Sequence, residues 1–370
     1  MPPLAALLTF VVVATTGRAA VPITTVDVAR SGAGAAQYRI PALTVTTRGT
    51  VLAAFDARPS MADLPSHIQV VLRRSTDGGM SFGPRIVVRA DTAPCGFGDP
   101  SFVVDRKTGR IFVFYAASER KGFADSHIGV NDDDPDILQA DYSYSDDDGR
   151  TWRHRRITSA IKDTAWGGLF ASSGQGIQIR HGRYAGRLVQ QYTVRYRGGN
   201  WAASAWSDDD GRSWRMGHLV GPGADENKSV ELADGRLMLN VRARPYRKVA
   251  WSTDGGATWS PLRDDSALVD PGNNGSILRY DDDAPNDDPR SHWLLFSNTA
   301  SATDRRNLTV RLSYDDGQSW PVRWTVDPGP SGYSTLARLP GDRLGVLYER
   351  DGYRFITLVE LRLLPTGTDQ

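Results

Sequence analysis

The chain has 370 residues, of which 40% are hydrophobic and 24% are charged, and its formal net charge is +1. This composition is ordinary for a globular protein, and a charge so close to zero excludes a general electrostatic attraction to nucleic acid or to a membrane surface. The single cysteine, Cys95, excludes an intrachain disulfide. The six histidines lack zinc-ligand spacing, so we predict neither a metal nor a cofactor.

The first twenty residues have the pattern of a signal peptide. An apolar run extends from Leu4 to Ala14, and the small residues of Gly17-Arg18-Ala19 follow it at a distance suited to cleavage. The run is too short to cross a bilayer. We therefore expect a secreted protein without a membrane span, with a signal peptide over residues 1–20 and one folded domain over residues 21–370.

One motif, Ser-x-Asp-x-Gly-x-Thr/Ser-aromatic, occurs five times in the chain. Its aspartates are Asp77, Asp147, Asp209, Asp254 and Asp315, so that successive copies lie 45 to 70 residues apart. Aspartate and glycine favour a tight turn at this point, and the aromatic residue would anchor the next strand in the core. We therefore assign these aspartates to turns and not to catalysis.

The runs of apolar residues that flank these motifs are typical of β-strands. One such turn for about every four strands predicts an all-β fold, a six-bladed β-propeller with five marked blades. The sixth blade is expected from strands within 335–363, and the early strand from Ile23 to Val28 would close the ring. Asp-rich loops at 132–136 and 281–288 are expected to be solvated, with calcium binding as the alternative.

The segment Tyr38-Arg39-Ile40-Pro41, which precedes the first repeat, carries the most specific family signal. It matches the Arg-Ile-Pro motif of the bacterial exo-α-sialidases (neuraminidases) with Asp-box, or BNR, repeats. The chain resembles that family over nearly its whole length after residue 20. Further matching segments are Phe55 to Pro59, Phe97 to Ser101, Asp225 to Lys228, Asn240 to Arg242, Val310 to Ser313, Tyr333 to Leu336 and Leu347 to Glu349.

The resemblance implies a retaining glycoside hydrolase that removes terminal sialic acid from glycoconjugates through a tyrosyl covalent intermediate. Sialic acid carries a carboxylate beside its reacting carbon. The resemblance assigns Arg39, Arg242 and Arg311 to that carboxylate, and Glu349 to holding Arg39 in place. Arginine suits this task because its planar guanidinium group can donate two parallel hydrogen bonds to a carboxylate.

The resemblance assigns catalysis to Tyr333, Glu226 and Asp63. A carboxylate nucleophile would be repelled by the carboxylate of the substrate, which explains why sialidases depart from the usual pair of catalytic carboxylates. A phenol has an ordinary pKa of about 10 and needs an adjacent base, so Tyr333 is the implied nucleophile and Glu226 its base. Asp63 is the implied general acid, and Asp56 is its rival.

Substrate recognition is assigned to four further residues. The resemblance implies that Arg58 and Asp99 contact the side of the sugar that bears the 4-hydroxyl group. Phe123 would form a wall of the N-acetyl pocket, and Asn273 would reach the glycerol tail. Gln175 departs from the family pattern, because related enzymes can carry Glu there, and it leaves the charge at the rim of the site open.

Three alternatives to an exo-α-sialidase stay open at this point. A sialyl transferase or an intramolecular trans-sialidase would share the whole catalytic set and differ on the acceptor side. A non-catalytic glycan-binding propeller would lack Tyr333, Glu226 or an arginine, and a glycosidase for neutral polysaccharides would need no arginine trio. The expected partners are sialylated oligosaccharides, glycoproteins or glycolipids, and the protein is expected to be a monomer that binds no nucleic acid.

Overall fold

A computed structural model describes residues 20–285 and 287–363 of the chain. The predicted signal peptide lies outside the described residues except for its last position. The described part is all-β, which confirms the predicted class, and it has 25 strands, one short α-helix and two 3₁₀ helices. The helices are Thr158–Ile161, Gly182–Tyr184 and Pro289–His292. None of these described helices is long and apolar enough to cross a membrane.

The strands form sheets in chain order, except that the first strand, β1 (Ala20–Arg30), belongs to the last sheet. The first sheet contains β2 (Gln37–Val45), β3 (Val51–Arg58), β4 (Gln69–Ser75) and β5 (Ile86–Arg89). The second sheet contains β6 (Gly96–Val104), β7 (Ile111–Ser118), β8 (Gln139–Ser145) and β9 (Arg153–Arg156). Consecutive strands within each of these two sheets are antiparallel neighbours.

The third and fourth sheets continue this order. The third region contains β10 (Leu169–Ala171), β11 (Gly174–Gln175), β12 (Ile177–Gln178), β13 (Leu188–Tyr196), β14 (Gly199–Ser207) and β15 (Arg215–Met216). All of these strands belong to the third sheet except β11, which pairs in parallel with β6 of the second. The fourth sheet contains β16 (Asn227–Glu231), β17 (Leu237–Val241), β18 (Tyr246–Ser252) and β19 (Arg263–Val269).

The last sheet has seven strands. Besides β1, it contains β20 (Ser276–Arg279), β21 (Leu294–Thr299), β22 (Arg306–Ser313), β23 (Val322–Leu339), β24 (Arg343–Arg350) and β25 (Phe355–Leu363). Strand β23 has 18 residues, and its first half pairs with β22 while its second half pairs with β24. For this reason the described chain has five hydrogen-bonded sheets and not six separate ones. Strand β1 pairs with β25, as predicted for the early strand.

The core consists of hydrophobic clusters between successive sheets. Leu52 of the first sheet shares a cluster with Phe102 of the second, and the pattern continues from sheet to sheet. Leu358 of the last sheet shares a cluster with Phe55 of the first, so the succession of sheets returns to its start. Strands β3 and β7, which are buried along their whole length, have nearly continuous apolar sequences because both of their faces are covered.

The five Asp-box motifs form the same turn, each at the end of the third long strand of a four-strand unit. In the second copy, Ser145 Oγ donates to Asp147 Oδ1 at 2.8 Å, and Thr151 donates to the same carboxylate through its N (2.9 Å) and its Oγ1 (2.6 Å). The aromatic residue reaches the preceding sheet, as when Trp214 lies 4.8 Å from Phe114 between ring centroids. The aspartates therefore serve the turns, as predicted.

The Asp-box carboxylates should make the free energy of unfolding decrease at acidic pH. Burial alone would raise the pKa of Asp147, but hydrogen bonds from Thr151 and Ser145 outweigh it and lower the pKa to about 2. The unfolded value is about 3.9, so the contribution of this carboxylate is complete above about pH 4 and is lost as the pH falls towards 2. Asp147→Ala should lower the free energy of unfolding by about 1–3 kcal/mol at pH 7, because several hydrogen bonds disappear.

Urea denaturation at pH 7 and at pH 2.5 measures this effect, which should shrink at the lower pH. Asp146→Ala is the matched control, because Asp146 is exposed and forms a surface ion pair with Arg110, an interaction worth about 0–1 kcal/mol. Equal losses in the two variants at pH 7 would contradict the role assigned to the Asp-box carboxylate.

Candidate active site

A cavity of about 260 Å³ brings together most of the predicted site residues. Charged side chains line one part of it, and apolar side chains line the other. Its described lining residues are Arg39, Ile40, Asp63, Leu64, Asp99, Ala116, Phe123, Leu138, Phe170, Glu226, Arg242, Arg305 and Tyr333.

Two kinds of segment bring these side chains to the cavity. The first kind is an irregular point in an inner strand, where the pairing register shifts beside Arg39 in β2, Asp99 in β6 and Tyr333 in β23. Such bulges bend a strand and re-aim its side chains. The second kind is the loop between the second and third strands of a four-strand unit. These loops contain Asp63, Phe123, Arg242 and Arg305.

Tyr333, Glu226 and Arg242 form a hydrogen-bonded triad in the charged part. Tyr333 Oη donates to Glu226 Oε2 at 2.6 Å. Arg242 Nη1 lies 2.5 Å from the same carboxylate oxygen and 2.8 Å from Tyr333 Oη. Glu226 is only 2% exposed, so the pair of phenol and carboxylate is shielded from bulk water.

Electrostatics determine which member of this pair holds the proton. Burial alone would raise the pKa of Glu226, but Arg242, Lys228 and the hydrogen bond from Tyr333 outweigh it and hold that pKa below its usual value. Burial and the nearby Glu226 raise the pKa of Tyr333 well above its usual value. At neutral pH the carboxylate is therefore ionised and the phenol neutral, so Glu226 can accept the phenol proton.

A second buried carboxylate holds the backbone on both sides of the charged part. Glu349 accepts from Arg39 Nε at 2.8 Å, from Ile40 N at 2.9 Å and from Tyr333 N at 2.8 Å. The predicted contact between Glu349 and Arg39 is thus present. A Cβ on Gly332 would lie 2.1 Å from Glu349 Oε2, which explains why glycine precedes the tyrosine.

Asp63 lies at the rim of the cavity, and its side chain is 81% exposed. Arg58 donates to Asp63 Oδ1 at 2.6 Å and to Asp56 Oδ2 at 2.7 Å. Asp56 is fully buried, and burial outweighs the attraction of Arg58 and raises the pKa of Asp56 to about 6. Because Asp56 does not line the cavity, the geometry favours Asp63 over Asp56 as the group that meets a substrate.

The apolar part of the cavity is an aromatic wall. Phe123 and Phe170 pack edge to face, with ring centroids 4.9 Å apart, and Leu138 and Ala116 complete the surface. Asp99 lines the cavity as well; burial and the nearby Asp56 carboxylate raise its pKa well above the usual value. The sequence had indicated Phe123 and Asp99 but not Phe170, which lies in the short inner strand β10 outside any recognised motif.

The assignment of Arg311 to the cavity is corrected by the structure. Arg311 does not line it; its Nη1 donates to Asn298 Oδ1 at 2.9 Å, and burial together with the nearby Arg323 lowers its pKa to about 10. Arg305 lines the cavity instead, with its guanidinium group 5.4 Å from the centre of the Tyr333 ring. The six intervening steps along the chain correspond to about 20 Å of strand, so the two arginines serve different places.

A positional signal could have identified Arg305. The first serine of the next Asp-box motif lies 12 residues after Asp63, 10 after Arg242 and 8 after Arg305, but only 2 after Arg311. The first three residues are therefore in the loop before the third strand, whereas Arg311 is inside that strand. The distance in sequence to the next Asp-box motif distinguishes the residues that line the cavity from Arg311, whereas the local motif does not.

Besides Glu349, three other predicted residues also lie outside the cavity lining. Asn273 is fully buried, and its Nδ2 donates to Gly332 O at 2.8 Å, so it supports the chain before Tyr333 and is not placed to reach a glycerol tail. Arg58 is covered by the carboxylates that it binds. Gln175 lines a different cavity and therefore does not set the charge at the rim of this one.

Among the described residues, one group offers three potential metal ligands within 4.8 Å of one another: His127, Asp134 and Asp136. It lies in and beside the first Asp-rich loop, away from the cavity, and calcium binding there stays an untested hypothesis. In the cavity, the carboxylate of Glu226 is already neutralised by Arg242. The arrangement of charges therefore suits an anionic ligand better than a cation.

Comparison with known proteins identifies the class. A sequence model of the BNR repeat-like domain matches residues 49–346. A sialidase of Micromonospora viridifaciens is 52% identical over 324 residues, which are 85% of this chain and 50% of that protein. A sialidase of Bacteroides fragilis (strain YCH46) is 32% identical over 333 residues, 85% of this chain and 60% of that protein.

Solved structures give the same result. The Hadza microbial sialidase Hz136 is similar with a TM-score of 0.82 and 30% identity, over 91% of this chain and 68% of that one. The fold and its repeats thus define an all-β protein built on BNR repeats. Given these sialidase relatives, the chain belongs to the bacterial sialidase family with BNR repeats. It spans half of the Micromonospora protein and 60% of the Bacteroides protein.

The Glu349 carboxylate should be essential for stability. Glu349→Ala should lower the free energy of unfolding by about 3–5 kcal/mol, because it leaves Arg39 buried without its counter-charge. Urea denaturation at pH 7 is the measurement. Asp264→Ala is the matched control, since Asp264 is an exposed carboxylate paired with Lys248 and its loss should cost less than about 1 kcal/mol. A similarly small loss for Glu349→Ala would contradict the proposed clamp.

Proposed function

We propose that this protein is a retaining exo-α-sialidase that hydrolyses terminal sialic acid from oligosaccharides, glycoproteins or glycolipids. The observation that carries the proposal is the meeting of Arg39, Arg242 and Arg305 around the Tyr333–Glu226 pair in one cavity. The 52% identity to a sialidase supports the same substrate class.

The three arginines provide a site for the substrate carboxylate. The guanidinium groups of Arg39, Arg242 and Arg305 lie 5.6, 5.9 and 5.4 Å from the centre of the Tyr333 ring. The first two already form ion pairs with glutamates, whereas Arg305 forms none with any described residue. A bound carboxylate would supply the missing counter-charge through charge-assisted hydrogen bonds.

In the first chemical step, Tyr333 attacks the anomeric carbon. A bond forms between Oη and that carbon while Glu226 accepts the phenol proton, and the bond to the leaving alcohol breaks. Asp63 donates a proton to the leaving oxygen, so the alcohol departs neutral. The aglycone has to leave past the exposed rim, which is where Asp63 lies.

In the second step, water replaces the tyrosine. The ionised Asp63 accepts a proton from a water molecule, whose oxygen attacks the anomeric carbon. Tyr333 leaves and recovers its proton from Glu226. Two displacements at the same carbon restore the starting configuration, so an α-sialoside gives α-sialic acid as the first product.

The remaining lining groups fit the substituents of the sugar. The wall of Phe123 and Phe170 offers an apolar surface to the methyl of the N-acetyl group. Asp99, which also lines the cavity, offers hydrogen bonds to a ring hydroxyl group. Arg58 acts indirectly, because it holds Asp63 at the rim.

Four further expectations belong to the same proposal. The sheets form a six-bladed propeller in which the long strand β23 connects the fifth and sixth blades, and residues 21–370 form the catalytic domain. The apolar run from Leu4 to Ala14 directs secretion. The protein is expected to act as a monomer.

Transfer to another acceptor, or to a hydroxyl of the same sialic acid, would use the same catalytic groups. Product analysis separates these reactions, because a transferase gives a new sialoside or an anhydro sugar in place of free sialic acid. Following sialyllactose cleavage by NMR therefore tests the proposed hydrolysis and its stereochemistry together.

The nucleophile can be identified by trapping. A fluorinated sialosyl fluoride should label the enzyme, because the ring fluorine slows breakdown of the intermediate while fluoride still leaves readily. Peptide mapping should place the label on Tyr333, and Tyr333→Phe should remain folded, lose most of its activity and take up no label. NMR should show α-sialic acid as the first product. A label on Glu226, or β-sialic acid as first product, would overturn the mechanism.

The identity of the third arginine can be tested by kinetics. Arg305→Ala should lower kcat/KM by about ten- to a hundredfold, because a charge-assisted hydrogen bond is worth about 1.5–3 kcal/mol. Arg311→Ala is the matched control and should leave KM close to that of the unmodified protein, once the folded fraction is measured by circular dichroism. A larger rise in KM for Arg311→Ala than for Arg305→Ala would reverse the assignment.

A further inference from the structure

A second cavity, of about 120 Å³, lies at the opposite end of the inner strands. Strand β2 brings Arg39 to the first cavity and Val45 to the second, and β23 brings Tyr333 to the first and Arg338 to the second. Five residues of strand span about 17 Å. The second cavity is therefore distinct from the candidate active site.

The charged residues that line this second cavity are four arginines and two acids: Arg106, Arg180, Arg279, Arg338, Glu231 and Asp282. Both acids already have partners. Glu231 accepts from the backbone N of Arg180 at 2.7 Å and of His181 at 2.9 Å, and Asp282 accepts from Arg106 at 3.2 Å. The lining carries more positive than negative charge, and although Glu231 and Asp282 lie near enough to Arg279 to interact with its charge, neither accepts a hydrogen bond from it.

Arg279 is the unusual member of this set. It is only 2% exposed, and none of its three guanidinium nitrogens has a hydrogen-bond partner among the described residues. Arg338 Nη1 is likewise buried without a partner, although its Nη2 donates to Asp342 at 2.7 Å. A buried charge without hydrogen bonds is costly, and buried polar groups are nearly always satisfied. The four unpartnered nitrogens therefore indicate a missing acceptor.

We propose that the second cavity binds a small oxyanion, such as phosphate or the carboxylate of a small molecule, through Arg279 with help from Arg338. The planar guanidinium fork matches the paired oxygens of these anions. The cavity has less than half the volume of the candidate active site, so it suits a small tetrahedral oxyanion better than a sialic acid unit.

Thermal unfolding in inorganic phosphate tests this site. At constant ionic strength, with sodium chloride as the balance, phosphate should raise the Tm of the full chain along a saturating curve. In an Arg305→Met background, which removes an arginine of the anion site proposed for the other cavity, Arg279→Met should abolish that rise, and the affinity for phosphate by calorimetry should fall at least tenfold. Arg305→Met alone is the matched control and should keep the response of the second cavity. Acetate in place of phosphate distinguishes a carboxylate ligand from a phosphate ligand.

The anion-free Tm is a second measurement. Arg279→Met should raise it, because the variant removes a buried guanidinium group that forms no hydrogen bond with any described residue, and Arg279→Lys keeps the test possible if the methionine variant does not fold. The lysine variant should show a weakened phosphate response, since an ammonium group lacks the fork. A response that is absent from the unmodified protein, or unchanged in both Arg279 variants, or already lost in Arg305→Met alone, would overturn the proposal.

Discussion

The geometry of the candidate site depends on one buried carboxylate. Glu349, in β24, accepts hydrogen bonds from Arg39 and Ile40 in β2 and from the backbone of Tyr333 in β23. It thereby joins the first sheet to the last and fixes a guanidinium group and a phenol with respect to each other. Such an arrangement is stable only while every partner is present, because a buried charge that loses its counterpart is strongly unfavourable. The proposed anion site and the proposed nucleophile consequently share one structural support.

Positive charge is distributed along the inner strands from one cavity to the other. Lys228 lies between the two cavities. It is 1% exposed and its Nζ donates to Asn274 Oδ1 at 3.0 Å. Burial lowers its pKa to about 7. Its charge helps to keep Glu226 ionised. In the candidate active site, glutamates neutralise two of the three arginines, whereas Arg279 in the second cavity has no hydrogen-bonded partner among the described residues. The two cavities therefore differ in how far hydrogen-bonded carboxylates balance the charge of their arginines.

Sequence patterns predicted the fold class and the centre of the site, because both depend on local signals. The Asp boxes mark one turn in each unit, and Arg39, Glu226 and Tyr333 lie inside short matching segments. Arg305 lies in no such segment. To choose between Arg305 and Arg311, one has to know where β22 begins, and the residues next to the two arginines do not define that point. The continuity of β23 was equally hidden, since it contains prolines at 328 and 330, and proline usually ends or borders a strand.

The pairing of β1 with β25 has a consequence for biosynthesis. Arg30 is registered with Phe355, so β1 must wait for a partner that is synthesised much later. Among the described strands β1 pairs only with β25, so until β25 emerges it can pair with a wrong neighbour. The earlier sheets can form one after another as the chain emerges, but the last sheet is completed only when β25 has been made. A nascent chain that stalls before β25 would leave β1 unpaired.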